Sequence, residues 1–203
     1  MKLLPVILLI ALATSCKNKA GRPSSESVGT DSTATKDSAV VFLPIQDLIR
    51  QDITRVDSFA GGILRKAALG IKKDSAFIKP AAFHKAAAAF LLPDLEAATL
   101  QNNYTESSFF DESTNQLQFI YTPKYATSEV RNVVAYITPS PMGDQVSRLY
   151  IERDWKQGDT IMLQKLTWKT GQYFYIVTIR QLPGGTAYTQ FEKLIWDPER
   201  FND

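Results

Sequence analysis

Apolar positions recur at two periods along this chain, and the change between them divides it. Ile45, Leu48, Ile49, Ile53 and Val56 fall at helical spacing, with Asp47, Arg50, Gln51 and Arg55 on the other side. That pattern predicts an amphipathic helix over 44–58, with Pro44 in its first turn and Gly61-Gly62 as its stop. Residues 63–69 and 76–79 read as a hairpin around Lys72-Lys73-Asp74. An Ala-rich second helix is expected over 80–92, carrying Phe83, Phe90 and Leu91. Pro93-Asp94 breaks it and opens a short third helix to Asn102.

From Gln116 the period becomes two. Strands are predicted over 116–122, 129–138, 145–153, 160–168, 172–182 and 187–196. Turn signals at 139–144, Thr170-Gly171 and Pro183-Gly184-Gly185 separate most of them, and such short connections make neighbours antiparallel. The expected fold class is therefore α+β. Two or three N-terminal helices pack on one face of a large twisted antiparallel β-meander, able to curl into a half-barrel.

Register sorts the side chains into two faces. A two-residue turn at Thr170-Gly171 sets Trp168 opposite Tyr173, Leu166 opposite Tyr175 and Met162 opposite Ile179. The glycine turn that follows sets Tyr175 opposite Leu194 and Tyr173 opposite Trp196. A loop over 154–159 adds Leu149 and Ile151 to this face, which is expected to lie under the helices. Its row of Trp168, Tyr173 and Trp196 serves either as the end of the core or as a wall for an apolar ligand. The second face carries Arg148, Tyr150, Glu152, Lys165, Thr167, Thr178, Arg180 and Lys193, together with Leu163, Phe174, Ile176, Phe191 and Ile195. Left uncovered, it is an interaction surface. A one-residue error in any turn exchanges the two sets beyond that turn. Trp155 is placed at the tip of the 154–159 loop, where an exposed indole can anchor a partner.

The N-terminus follows neither period. Lys2 precedes an apolar run over 3–12, too short to span a bilayer, and Ala13-Thr14-Ser15 leads to Cys16. This stretch resembles the signal sequence and lipobox of bacterial lipoprotein precursors. The resemblance implies removal of residues 1–15, lipidation of Cys16 on sulfur and acylation of its amine. Acyl chains anchor firmly, at ~0.8 kcal/mol per buried CH₂. Residues 16–40 then form the lipidated cysteine and a Ser/Thr-rich tether, and 41–203 a single globular domain. The Cys-Lys-Asn start and the Ser/Thr tether resemble envelope lipoproteins of the Bacteroidota type, as does the body of the chain, a likeness that carries no known activity. The lack of acidic residues just after Cys16 favours the outer membrane's periplasmic side.

Composition narrows the functions. The 203 residues are 44% hydrophobic and carry a formal net charge of +2, which gives no argument for nucleic acid as a partner. Cys16 is the only cysteine, so the domain is built without disulfides. His84 is the only histidine, which excludes a metal site built on several histidines, and it reads as an ordinary helical residue. No nucleophile elbow or phosphate-binding glycine loop is present. Asp111-Glu112 sits in a polar loop, and Asp154 and Asp159 lack calcium-loop spacing. No cofactor or metal is expected. The chain reads as a non-catalytic envelope binding or scaffold module, held to the membrane through lipidated Cys16 and meeting an envelope protein or an apolar ligand. The alternatives are a carrier or sensor of an apolar ligand such as a lipid, and a carboxylate-only hydrolase. Replacing Cys16→Ser is expected to release the protein into the soluble envelope fraction. Mass spectrometry of the mature wild-type N-terminus checks this by finding acyl mass on cysteine.

Overall fold

The computed structural model describes residues 42–58, 61–139 and 145–202. The expectations for the signal at 1–15, for Cys16 and for the tether at 16–40 lie outside those residues. Helix α1 (Ile45–Ser58) comes first, then the hairpin β1 (Ile63–Leu69) and β2 (Lys72–Ile78). Helix α2 (Pro80–Ala87) continues into a 3-10 turn, and α3 (Ala97–Asn103) follows a second one. Seven strands complete the chain: β3 (Tyr104–Asp111), β4 (Gln116–Pro123), β5 (Val130–Thr138), β6 (Gln145–Gln157), β7 (Thr160–Lys169), β8 (Tyr173–Gln181) and β9 (Ala187–Ile195). All nine strands form one antiparallel sheet in the order β2-β1-β9-β8-β7-β6-β5-β4-β3. The α+β class with an antiparallel meander holds.

The sheet is larger than the sequence reading allowed. The early hairpin pairs its β1 with β9, the last strand, and β3 adds a further edge beyond β4. Residues 79–103, with α2 and α3, therefore carry the chain from one edge of the sheet to the other. The expected 80–92 helix ends at Ala87, where a 3-10 turn over Ala88–Phe90 buries the Phe90 side chain.

The β7–β8 connection overturns the expected register. Thr170, Gly171 and Gln172 form a three-residue loop, with Gly171 at φ +75° and the Gln172 N–H donating to the Lys169 carbonyl at 3.1 Å. Lys169 pairs with Tyr173, so Trp168 faces Phe174 and Leu166 faces Ile176. The next turn restores the parity, with Phe174 opposite Leu194. Only β8 is inverted relative to expectation. Phe174 and Ile176 belong to the core, while Tyr173 and Tyr175 point to the opposite face.

The inward face meets the helices in one apolar cluster. α1 supplies Ile45, Ile49, Ile53 and Val56, α2 supplies Phe83 and Ala87, and the sheet supplies Tyr121, Val133, Leu149, Ile151, Leu166 and Leu194 among others. At its centre Trp168 stacks on Phe174 at 5.1 Å and meets Phe90 at 5.0 Å and Trp196 at 5.5 Å. Phe83 closes on Trp196 at 5.5 Å. Each such ring buries roughly 150–250 Å², which makes this knot a main apolar contribution to stability. One polar tie runs through it. The buried Asp52 carboxylate of α1 accepts from the Trp168 indole N–H at 2.7 Å and from the Gly171 N–H at 2.8 Å, with Arg55 3.7 Å from its other oxygen. Trp168→Ala is expected to cost ~3–5 kcal/mol by cavity formation. Asp52→Ala strands two donors at ~1–3 kcal/mol each where they stay dry. Urea melts of both variants check these values.

Candidate functional site

The residues singled out in the sequence do not converge. Trp168 and Trp196 are 1% and 5% exposed, and their faces are filled by the aromatic knot. Trp155 is not at a loop tip. β6 runs on to Gln157, so Trp155 pairs with Met162 inside the sheet and lies half-buried under the Arg153 guanidinium, 4.5 Å from its ring centre. Tyr173 lies on the face opposite both other members of its expected row. His84 Nε2 is 2.7 Å from Asp57 Oδ1, which joins α2 to α1.

Several carboxylates are committed to structure, while one oxygen of Glu106 is buried without a hydrogen-bond partner. Asp111 caps the β3–β4 turn, accepting from the Ser113 and Thr114 hydroxyls at 2.6 and 2.8 Å, and these bonds hold its carboxyl below the usual range. Asp154 pairs with Arg131. Asp94 accepts from the Tyr104 hydroxyl at 3.1 Å at the rim of a polar recess, where burial pushes the phenol well above its ordinary value. Among the described residues no group of three or more His, Cys, Asp and Glu is placed to hold a metal ion. No helix among them is long and apolar enough to cross a membrane.

The outward face of the sheet brings a different set together. Tyr136, Arg148, Lys169 and Tyr173 are successive cross-strand partners on β5, β6, β7 and β8. Directly opposed side chains lie ~4.5–5.5 Å apart at Cβ, so these four form a continuous row. Arg148 sits over the Tyr136 ring at 3.9 Å. Lys193 Nζ from the neighbouring row sits over Tyr173 at 4.4 Å. Those contacts orient both cations along ring faces rather than away from the sheet. Tyr173 stacks near Tyr175 at 6.4 Å, and Tyr175 meets Phe191 at 6.0 Å. None of these side chains belongs to the apolar cluster that the helices cover.

Electrostatics marks one point in the row. Arg148 and Lys169 are like charges directly opposed on adjacent strands, an arrangement that destabilises a sheet. Burial, then Arg148, then Arg200 lower the Lys169 pKa, and among the described residues no carboxylate acts to raise it. The acid on this face of β6 is already answered. Glu152 accepts from the Tyr150 hydroxyl and lies 3.2 Å from Lys165 Nζ, and the Tyr150 bond leads in holding its carboxyl low. Between Tyr150 and Tyr175, the Thr167 side-chain oxygen is buried without a hydrogen-bond partner.

Sequence reading placed Arg148 and Lys193 on this face but missed Lys169 and misplaced Tyr173. The usable signal was the pairing of β6 with β7, since any register that faces Leu149 to Trp168 also faces Arg148 to Lys169. Charged Lys169 is disfavoured in the fold, so its cost is present at neutral pH. It is relieved as pH rises through the lowered folded pKa toward the ordinary lysine value. Lys169→Gln is expected to stabilise the protein by ~0.2–1 kcal/mol at neutral pH. The difference from wild type should close at alkaline pH, read from paired thermal melts. No family model matches the chain, and no curated protein or solved structure matches it significantly.

Proposed function

We propose that the protein is a non-catalytic binding module of the cell envelope, anchored by lipidated Cys16 on the 16–40 tether and facing the periplasm from the outer membrane. Its helices pack on one face of a sheet that curls toward a half-barrel, and the opposite face does the binding. The ligand class is an acidic glycan. Its carboxylate or sulfate groups meet Arg148, Lys169 and Lys193 along the tyrosine row, where Arg148 covers one face of Tyr136 and Lys193 one face of Tyr173.

The observation that carries this reading is the opposed Arg148–Lys169 pair. A sheet that keeps two cations side by side, with no carboxylate among the described residues acting on Lys169, pays a local penalty that an anion reverses. The hydrolase alternative loses support because Asp52, Asp111, Asp154 and Glu152 each hold a structural partner. The apolar carrier loses its proposed wall, since Trp168 and Trp196 are filled from both sides. Calorimetric titration with polygalacturonate, against neutral dextran, tests the proposal. Wild type should bind only the acidic polymer, and the double variant Arg148→Ala/Lys169→Ala should bind about tenfold or more weakly, a loss of ~1.4 kcal/mol. Equal affinity in the variant and the wild type overturns it.

A further inference from the structure

Two hairpin turns meet at the end of the sheet farthest from the Arg148–Lys169 pair. β8 begins at Tyr173 and reaches the β8–β9 turn after Gln181, a run of ~25–30 Å at strand rise. Because β1 pairs with β9, the β1–β2 turn at Gly70-Ile71 comes to the same end. Gly70 takes φ +57°, a conformation glycine adopts freely, and so turns Ile71 outward. Ile71 is 98% exposed, Leu69 56%, Tyr188 53% and Leu182 38%. These four side chains, with Lys72 and Arg180, line one groove of about 720 Å³.

Hairpin tips ordinarily carry Gly, Asn, Asp, Ser and Pro. Here the tip sequence is Leu69-Gly70-Ile71-Lys72-Lys73, with large apolar groups at its apex and cations just behind. A single exposed isoleucine needs no explanation, but four exposed apolar side chains around one groove form a patch that water penalises. Among the described residues the groove lining contains no carboxylate. On the strands behind the groove, Asp74 and Glu192 are both held by Arg65, at 3.0 and 2.6 Å, while Asp159 lies exposed in the neighbouring β6–β7 turn.

We infer that these two turns form a membrane-docking tip, which inserts Ile71, Leu69, Leu182 and Tyr188 into the headgroup–acyl boundary of an anionic lipid surface. Lys72, Lys73 and Arg180 stand at the level where lipid phosphates lie. Tyr188 presents an apolar ring and a polar hydroxyl, the chemistry suited to that boundary. A second copy of the chain fits less well. The free edge beside the tip is β2, and Lys72 and Lys73 on it oppose edge-to-edge strand pairing by charge repulsion. The inference stands on the tip itself and does not require the Cys16 anchor. It also places the Arg148–Lys169 row at the end directed away from the bilayer.

The test uses the full chain with Cys16→Ser and one new cysteine carrying an environment-sensitive fluorophore, at Ile71→Cys or, as control at the opposite end, at Glu199→Cys. Both positions are exposed, so labelling leaves the core intact. Phosphatidylcholine vesicles with phosphatidylglycerol and a lipid-borne quencher are added. The expected result is a blue shift and quenching at position 71 and neither at 199. Both effects should be lost with Lys72→Glu/Lys73→Glu and on phosphatidylcholine alone. No quenching at 71 while the chain sediments with the vesicles overturns the tip and leaves anchoring through the N-terminus untouched. Equal quenching at 71 and 199, or quenching at 71 that ignores lipid charge and survives the lysine reversal, overturns it as non-specific insertion. A blue shift at 71 that grows with protein concentration in the absence of lipid overturns it in favour of a second copy.

Discussion

The structure turns on one buried carboxylate. Asp52 reaches from α1 to the Trp168 indole and to the Gly171 amide in the loop that follows it. By holding Gly171, it fixes a loop whose length decides the parity of all of β8. One residue fewer in that loop would send Phe174 and Ile176 to the outer face and bring Tyr173 and Tyr175 inward. Two phenol hydroxyls would then need partners in a knot built of hydrocarbon and indole. A charged group that is costly to bury is retained where it selects between two registers of similar apolar content.

That near-equivalence explains where the sequence was readable and where it was not. α1 was legible almost to the residue, because Ile45, Ile49, Ile53 and Val56 keep a clean period against charged neighbours. The strands from β4 onward were legible in number and order from their turn residues. β8 was not legible in phase, because Tyr173-Phe174-Tyr175-Ile176-Val177 is apolar on both faces and a glycine suits both a two-residue and a three-residue hairpin. β3 was missed altogether. Tyr-Thr-Glu-Ser-Ser-Phe-Phe-Asp shows no alternation, since as an edge strand it leaves Phe109 and Phe110 largely exposed. Of the candidate site, the cations were partly visible. Their conjunction with Tyr173 depended on the register, which local sequence does not determine.

The same topology separates tasks along the sheet. Trp168, Phe174 and Trp196 with the helices form a dense aromatic block at one end of the inward face. At the other end, on the β2 side of the sheet, the hairpin β1–β2 carries apolar side chains into solvent. The outward face keeps its tyrosines and cations in rows that the strand spacing sets, so the row geometry is inherited from the backbone.

The joining of β1 to β9 has a bearing on when the protein can fold. α1 and the first hairpin are made early, yet their partners lie in β7, the loop after it and β9. The tie from Asp52 to Gly171 spans 119 residues. Contacts so distant in sequence close slowly, and the seam between β1 and β9 cannot form until the last strand has been synthesised. For a chain exported as proposed, that wiring keeps the nascent polypeptide threadable. The first hairpin would then join the sheet only when β9 (Ala187–Ile195) arrives.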